Sequence, residues 1–76
     1  MKFTDQTVAL LKSRSTRFEV WGDETPGFGV RVAPSGRKSW IYLYRHEGRA
    51  RRLTLGTFPE LSSAEAQELY ETARDI

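Results

Sequence analysis

Apolar and polar residues alternate through the middle of the chain and recur at helical spacing near its two ends. Phe28-Gly29-Val30-Arg31-Val32 is apolar at every second position, and Ser39-Trp40-Ile41-Tyr42-Leu43-Tyr44-Arg45 is dense in aromatic and β-branched residues. Both patterns predict strands. Arg49 to Leu55 predicts a third main strand, broken by Gly56-Thr57-Phe58-Pro59, and Phe18-Glu19-Val20-Trp21 predicts a short extra one. Turn chemistry separates them: Gly22 to Gly27 with Pro26, then Pro34-Ser35-Gly36, then Glu47-Gly48, where glycine supplies a positive φ. Thr4 is the expected N-cap of a first helix that carries Val8, Ala9 and Leu11 and ends near Ser13. Ser62-x-x-Glu65 is a capping box, and Ala66, Leu69, Tyr70, Ala73 and Ile76 give the second helix one apolar face. These elements predict an α+β fold. A three-stranded antiparallel β-sheet, with a short extra N-terminal strand and helix, packs against a C-terminal α-helix.

The turns set a register. With Glu47-Gly48 as a two-residue turn, Tyr44 opposes Arg51, Tyr42 opposes Leu53 and Trp40 opposes Leu55. On the other parity, Arg45 opposes Ala50, Leu43 opposes Arg52 and Ile41 opposes Thr54. A loop centred on Gly36 sets Val32 against Trp40 and Arg31 against Ile41. One face then holds Phe28, Val30, Val32, Trp40, Tyr42, Tyr44, Leu53 and Leu55, and it is expected to pack on the second helix. The other holds Arg31, Ala33, Ser39, Ile41, Leu43, Arg45, Ala50, Arg52 and Thr54.

Charge sharpens that picture. Residues 31–52 carry Arg31, Arg37, Lys38, Arg45, Arg49, Arg51 and Arg52 against Glu47 alone, a net +6. Residues 53–76 carry Arg74 against Glu60, Glu65, Glu68, Glu71 and Asp75, a net −4. A chain of net charge +2 thus has a strongly cationic middle, which points to a polyanionic partner. The arginine-bearing face mixes guanidinium groups, hydroxyls and aliphatics. Arginine can bond guanine edges in pairs, serine and threonine can bond either base type, and aliphatics can touch thymine methyls. Arg31, Arg45, Arg52, Ser39 and Thr54, with Ile41 and Leu43, are therefore candidates for base edges. Arg37, Lys38 and Arg49 at strand ends and turns suit phosphates, and Arg51 shares that role only if it escapes the helix-packed face. The competing reading is that Ile41 and Leu43 are covered by the N-terminal segment or by a partner. Trp21, Trp40, Tyr42 and Tyr44 read as core rather than as base-stacking platforms.

Other chemistries find no support. At 76 residues the chain is one small domain with a modest core. It has no cysteine, which excludes a disulfide scaffold, a thiolate zinc site and a thiol nucleophile. Neither a signal-peptide run nor a bilayer-length apolar stretch is present. The single histidine, His46, sits beside a turn, and Gly27-Phe28-Gly29 lacks the phosphate-loop pattern. No catalytic constellation stands out, so this chain is expected to be non-catalytic, without cofactor or metal.

The ordered set Thr4-Asp5, Pro26-Gly27-Phe28-Gly29-Val30-Arg31-Val32, Ser35-Gly36 with Lys38-Ser39-Trp40, Tyr44-Arg45, Gly48-Arg49, Leu53 to Ser62, and Ala64-x-Ala66 resembles the N-terminal arm-type DNA-binding domain of the phage P4-like integrases. The resemblance covers nearly the whole chain. These are tyrosine recombinases that integrate and excise prophages and genomic islands. The resemblance implies a three-stranded sheet that lies in the major groove of arm-type sites, with a core-binding and a catalytic domain elsewhere in the parent protein. None of Tyr42, Tyr44 or Tyr70 matches the family's nucleophile. Gln67 stands where family members often carry a basic residue.

Residues 1–76 are thus expected to form a single arm-type domain, a fragment of a longer integrase, working on double-stranded DNA in the bacterial cytoplasm at the nucleoid. Other integrase subunits and accessory DNA-bending or excision factors are further candidate partners. No membrane and no small-molecule substrate is expected. The rival readings are a protein-interaction module that contacts a recombinase subunit or accessory factor, and a binder of RNA or single strands.

Overall fold

The computed structural model describes residues 2–23 and 25–75. Six elements follow in order: α1 (Asp5–Ala9), β1 (Phe18–Trp21), β2 (Phe28–Val32), β3 (Lys38–His46), β4 (Arg49–Phe58) and α2 (Ser63–Arg74). The strands form one antiparallel sheet in the order β1-β2-β3-β4. The fold is α+β, as the sequence pattern indicates. The extra N-terminal strand is a full fourth member at the β2 edge.

Both predicted caps form. The Thr4 and Ser62 hydroxyls accept from the backbone N–H groups of Thr7 and Glu65, and each cap closes reciprocally as a capping box. The two helices are stapled together by Asp5, whose carboxylate accepts the Ser63 N–H at 2.7 Å at the start of α2. That hydrogen bond holds the Asp5 carboxyl below its usual range. The first helix stops at Ala9 rather than near Ser13. The chain tightens there through an i→i+3 bond from Leu11 N–H to Val8 O. This turns Leu11 toward the core and leaves Leu10 exposed. Ile76, expected on the apolar face of α2, lies outside the described residues.

The core lies between one face of the sheet and the two helices. Val8, Phe28, Val30, Trp40, Ala66 and Tyr70 are buried together, with Phe3, Leu11, Val20, Tyr42, Leu55, Phe58 and Leu61 packed around them. Aromatic rings dominate it. Phe28 stacks between Trp40 at 5.4 Å and Tyr70 at 5.0 Å. The polar handles of the buried rings are satisfied: Trp40 Nε1 donates to Leu61 O at 2.8 Å, and the Tyr70 hydroxyl donates to Pro26 O at 2.9 Å.

Two register details differ from expectation. The tip of the β2–β3 loop is the three residues Pro34-Ser35-Gly36, closed by Gly36 N–H to Ala33 O and Ala33 N–H to Arg37 O. A proline-led turn followed by glycine at φ +94° makes a tighter hairpin than a loop centred on Gly36. Val30 therefore opposes Trp40, and Arg31 opposes Ser39. This is a shift of two, so every side chain keeps its face. In β4 the pairing runs as expected from Arg49 to Thr54, and then slips so that Trp40 opposes Gly56 instead of Leu55. Leu55 is the extra residue of a β-bulge. The strand continues through Gly56 to Phe58 rather than breaking there, and Leu61 packs against Gly56 where a side chain would stand.

Candidate nucleic-acid interface

Register across the four strands builds the other face row by row. The first row is Glu19, Arg31, Ser39 and Thr57, and the second is Trp21, Gly29, Ile41 and Thr54. Leu43 with Arg52 and Arg45 with Ala50 follow on β3 and β4 alone. Both helices contribute to the core on the opposite side, so this face is left open. Arg45, Ala50, Arg52 and Thr54 are exposed, while Arg31, Ser39 and Leu43 are half-buried.

Ile41 is a correction. It is fully buried and presents nothing to a ligand. Its neighbour in register on β2 is Gly29, and a methyl group built on Gly29 would sit 2.6 Å from Cε3 of Trp21. The Trp21 ring therefore lies over the glycine, beside Ile41, and the N-terminal strand covers this part of the face. Trp21 is half-buried and belongs to this cover rather than to the helix-side core.

The basic residues divide by position. Arg37 is exposed in the β2–β3 loop. Alternation puts Lys38, Arg49 and Arg51 on the helix side of the sheet, Lys38 at one end and the two arginines at the other. Arg49 and Arg51 lie on a two-stranded extension. The β2–β3 ladder ends at Phe28 with Tyr42, so Tyr44 to Arg51 continue as a ribbon of β3 and β4 only. Glu47 and Gly48 close it, both with positive φ (53° and 78°), the geometry that matches strand twist in a two-residue hairpin. His46 is exposed beside that turn.

The ion pairs on the open face centre on Glu19, to which the sequence pattern alone assigned no role. Its Oε2 accepts from Arg31 Nε at 3.4 Å and Nη2 at 3.2 Å, and its Oε1 accepts from Arg52 Nη2 at 3.2 Å. The pair with Arg52 joins β1 to β4 across the two middle strands. These groups, with Arg17, Phe18 and Trp21, line a shallow open depression of about 420 Å³. The alternation of Phe18 to Trp21 carried the signal. Pairing that strand with β2 sets Glu19 opposite Arg31. At the other end of the first row, the Thr57 hydroxyl donates to Glu60 at 3.0 Å. The Glu60 carboxyl is held below its usual range by a hydrogen bond to its own backbone, by Thr57 and, least, by the charge of Arg37.

Among the described residues, no group of three or more His, Asp or Glu side chains could hold a metal ion, and no helix is long and apolar enough to cross a membrane.

Comparison with known proteins assigns the chain a family. A stretch of 45 residues, 59% of the chain, is 40% identical to the Escherichia coli (strain K12) protein named IntB and covers 11% of that protein. The chain therefore matches only a small part of that relative's length. The family described as the arm DNA-binding domain matches residues 3–76. A match of that extent assigns the family: the chain belongs to the arm DNA-binding domains.

Proposed function

We propose that the domain binds duplex DNA by laying the open face of its sheet, led by the β3–β4 ribbon, into the major groove at arm-type sites. In this reading it is one module of a longer tyrosine recombinase that integrates and excises a prophage or genomic island. The observation that carries the proposal is the segregation of the molecule's two sides. Helices and apolar core lie on one side, while Arg31, Arg45 and Arg52 stand with Ser39, Leu43, Ala50 and Thr54 on the other. The major groove is about 12 Å wide and admits a two-stranded ribbon. Arg31, Arg45, Arg52, Ser39 and Thr54 suit base edges, and Leu43 suits a thymine methyl. Arg37, Lys38, Arg49 and Arg51 sit at the ends of the sheet, where groove-flanking phosphates pass. The acidic residues of α2 lie away from the backbone they would repel.

The test is an NMR titration of the labelled domain with random-sequence duplex at two salt concentrations. The expected result is salt-sensitive shifts at Arg45, Arg52 and Thr54 while α2 stays silent. Neutralising four phosphates gives a slope of log K against log salt of about −3.6. A silent sheet at low salt overturns the reading. Salt-insensitive binding to protein without DNA would favour an interaction module that contacts another recombinase subunit or an accessory factor.

A further inference from the structure

The placement of a carboxylate on the edge strand of a face read as DNA-binding, bonded to two of its arginines, calls for a reason. Glu19 is not a stray surface charge. It is mostly buried, with its side chain 21% exposed, and it holds two arginines at 3.2 Å, Arg31 from the adjacent strand β2 and Arg52 from the far edge strand β4. A guanidinium carries five N–H donors in a rigid fork. Arg31 spends Nε and one Nη2 hydrogen on Glu19, and Arg52 spends Nη2. Nη1 of both groups makes no hydrogen bond among the described residues, so Arg31 keeps its end-on pair of nitrogens available.

We propose that Glu19 is a positioning residue that sets the specificity of this face: it fixes Arg31 and Arg52 as forks for base edges and withholds them from phosphates. The inference rests on the DNA-binding reading above. Two physical effects act together. The shared carboxylate fixes two long side chains before DNA arrives, which lowers the ordering cost of a paired contact. It also discriminates between acceptors. Guanine O6 and N7 are neutral and can take the free donors beside Glu19. A phosphodiester is anionic and meets the carboxylate's repulsion at the same place. Random-sequence affinity comes from phosphates and specific affinity from base edges. Glu19 therefore lowers the first more than the second.

The test measures binding of random-sequence duplex across a salt series for the wild-type domain and for Glu19→Gln, which keeps the size of the side chain and removes its charge. The expected result is tighter random binding at low salt, on the order of tenfold, and a salt slope steeper by about 0.9 for each further phosphate neutralised. Sequences selected from a random pool should also be less uniform. The same substitution in an Arg31→Gln, Arg52→Gln background separates a positioning role from bulk repulsion, because the gain should then vanish. Should that background fail to fold, Glu19→Asp serves instead. It keeps the charge but withdraws the carboxylate, and it should also bind random duplex more tightly than wild type. An unchanged affinity and slope for Glu19→Gln overturns the role of Glu19 while leaving DNA binding intact. An equal gain without the two arginines, or wild-type behaviour of Glu19→Asp, overturns it too. A wild-type domain with no salt-dependent duplex binding overturns the DNA-binding reading, and the proposal with it.

Discussion

Val30 and Arg31 are neighbours in β2, and their side chains leave the sheet on opposite sides. Val30 enters a core in which every buried polar handle ends on a backbone carbonyl: Trp40 on Leu61, Tyr70 on Pro26. Such bonds, made by rings that are themselves buried, fix one arrangement. Arg31 enters a network of charged groups whose side chains are 21% to 49% exposed. Pairs at that exposure compete with water and salt and are worth little to stability. Their role lies in orienting the guanidinium groups on the open face rather than in holding the fold together. The same sheet thus holds the molecule together on one side and keeps only part of its bonding capacity committed on the other.

The comparison breaks most easily at Trp40. Trp40→Ala should cost about 3–5 kcal/mol by cavity formation, as much as a domain this small has to lose. Urea unfolding should show little or no folded population. Arg45→Ala, on the open face, should shift the same curve by no more than about 0.5 kcal/mol. A Trp40→Ala domain that remains folded would mean that the helix side does not carry the stability.

Ile41 tests whether the division follows the faces strictly. It stands on the open face yet is fully buried, beneath the cover that Trp21 provides over Gly29. Ile41→Ala should therefore behave as a core substitution and cost about 2–5 kcal/mol of folding stability. Leu43→Ala, half-buried two residues on, should cost clearly less. Equal effects would place the edge of the core elsewhere.

Ile41 also shows where legibility in the sequence ended. Alternation alone assigned the face of every residue in β2 and β3, and it survived a two-residue error in the first hairpin because parity is indifferent to even shifts. The caps at Thr4 and Ser62 were legible because they are local chemistry. Three features were not, and each depends on contacts distant in sequence. The bulge at Leu55 lies where Leu61 returns over Gly56. The burial of Ile41 follows from a ring twenty residues earlier in the chain. The Glu19 network needs the pairing of β1 with β2 and a reach across all four strands. The first looked in the sequence like a strand end, the second was open between an exposed aliphatic and one covered by the N-terminal segment, and the third looked like a solvated charge.

On the binding side the expected effects are smaller and divide by type. Arg45→Ala should cost about 1–3 kcal/mol at a selected site and relax preference at one base position. Arg37→Ala should weaken all sequences alike and reduce the salt slope by about 0.9. Competition of selected against random duplex separates the two. A uniform loss for Arg45→Ala would move it to the phosphate set and shrink the base-reading surface toward Arg31, Arg52 and Thr54.

The smallest effect lies at the seam between the helices. Asp5 is exposed, and its carboxyl is held below the ordinary 3.8 chiefly by the Ser63 backbone N–H. A carboxylate with a depressed folded-state pKa stabilises the fold at pH above its unfolded value. That contribution is lost as pH falls through the folded value. Thermal unfolding from neutral pH downward should therefore show an acid limb beginning near pH 4, and Asp5→Asn should flatten part of it while leaving the neutral-pH affinity for DNA unchanged. The second outcome matters more for the comparison of the two faces. Asp5 belongs to the side that carries stability, so a change in DNA affinity in Asp5→Asn would show that the docking of α1 on α2 is coupled through the sheet to the arginines opposite.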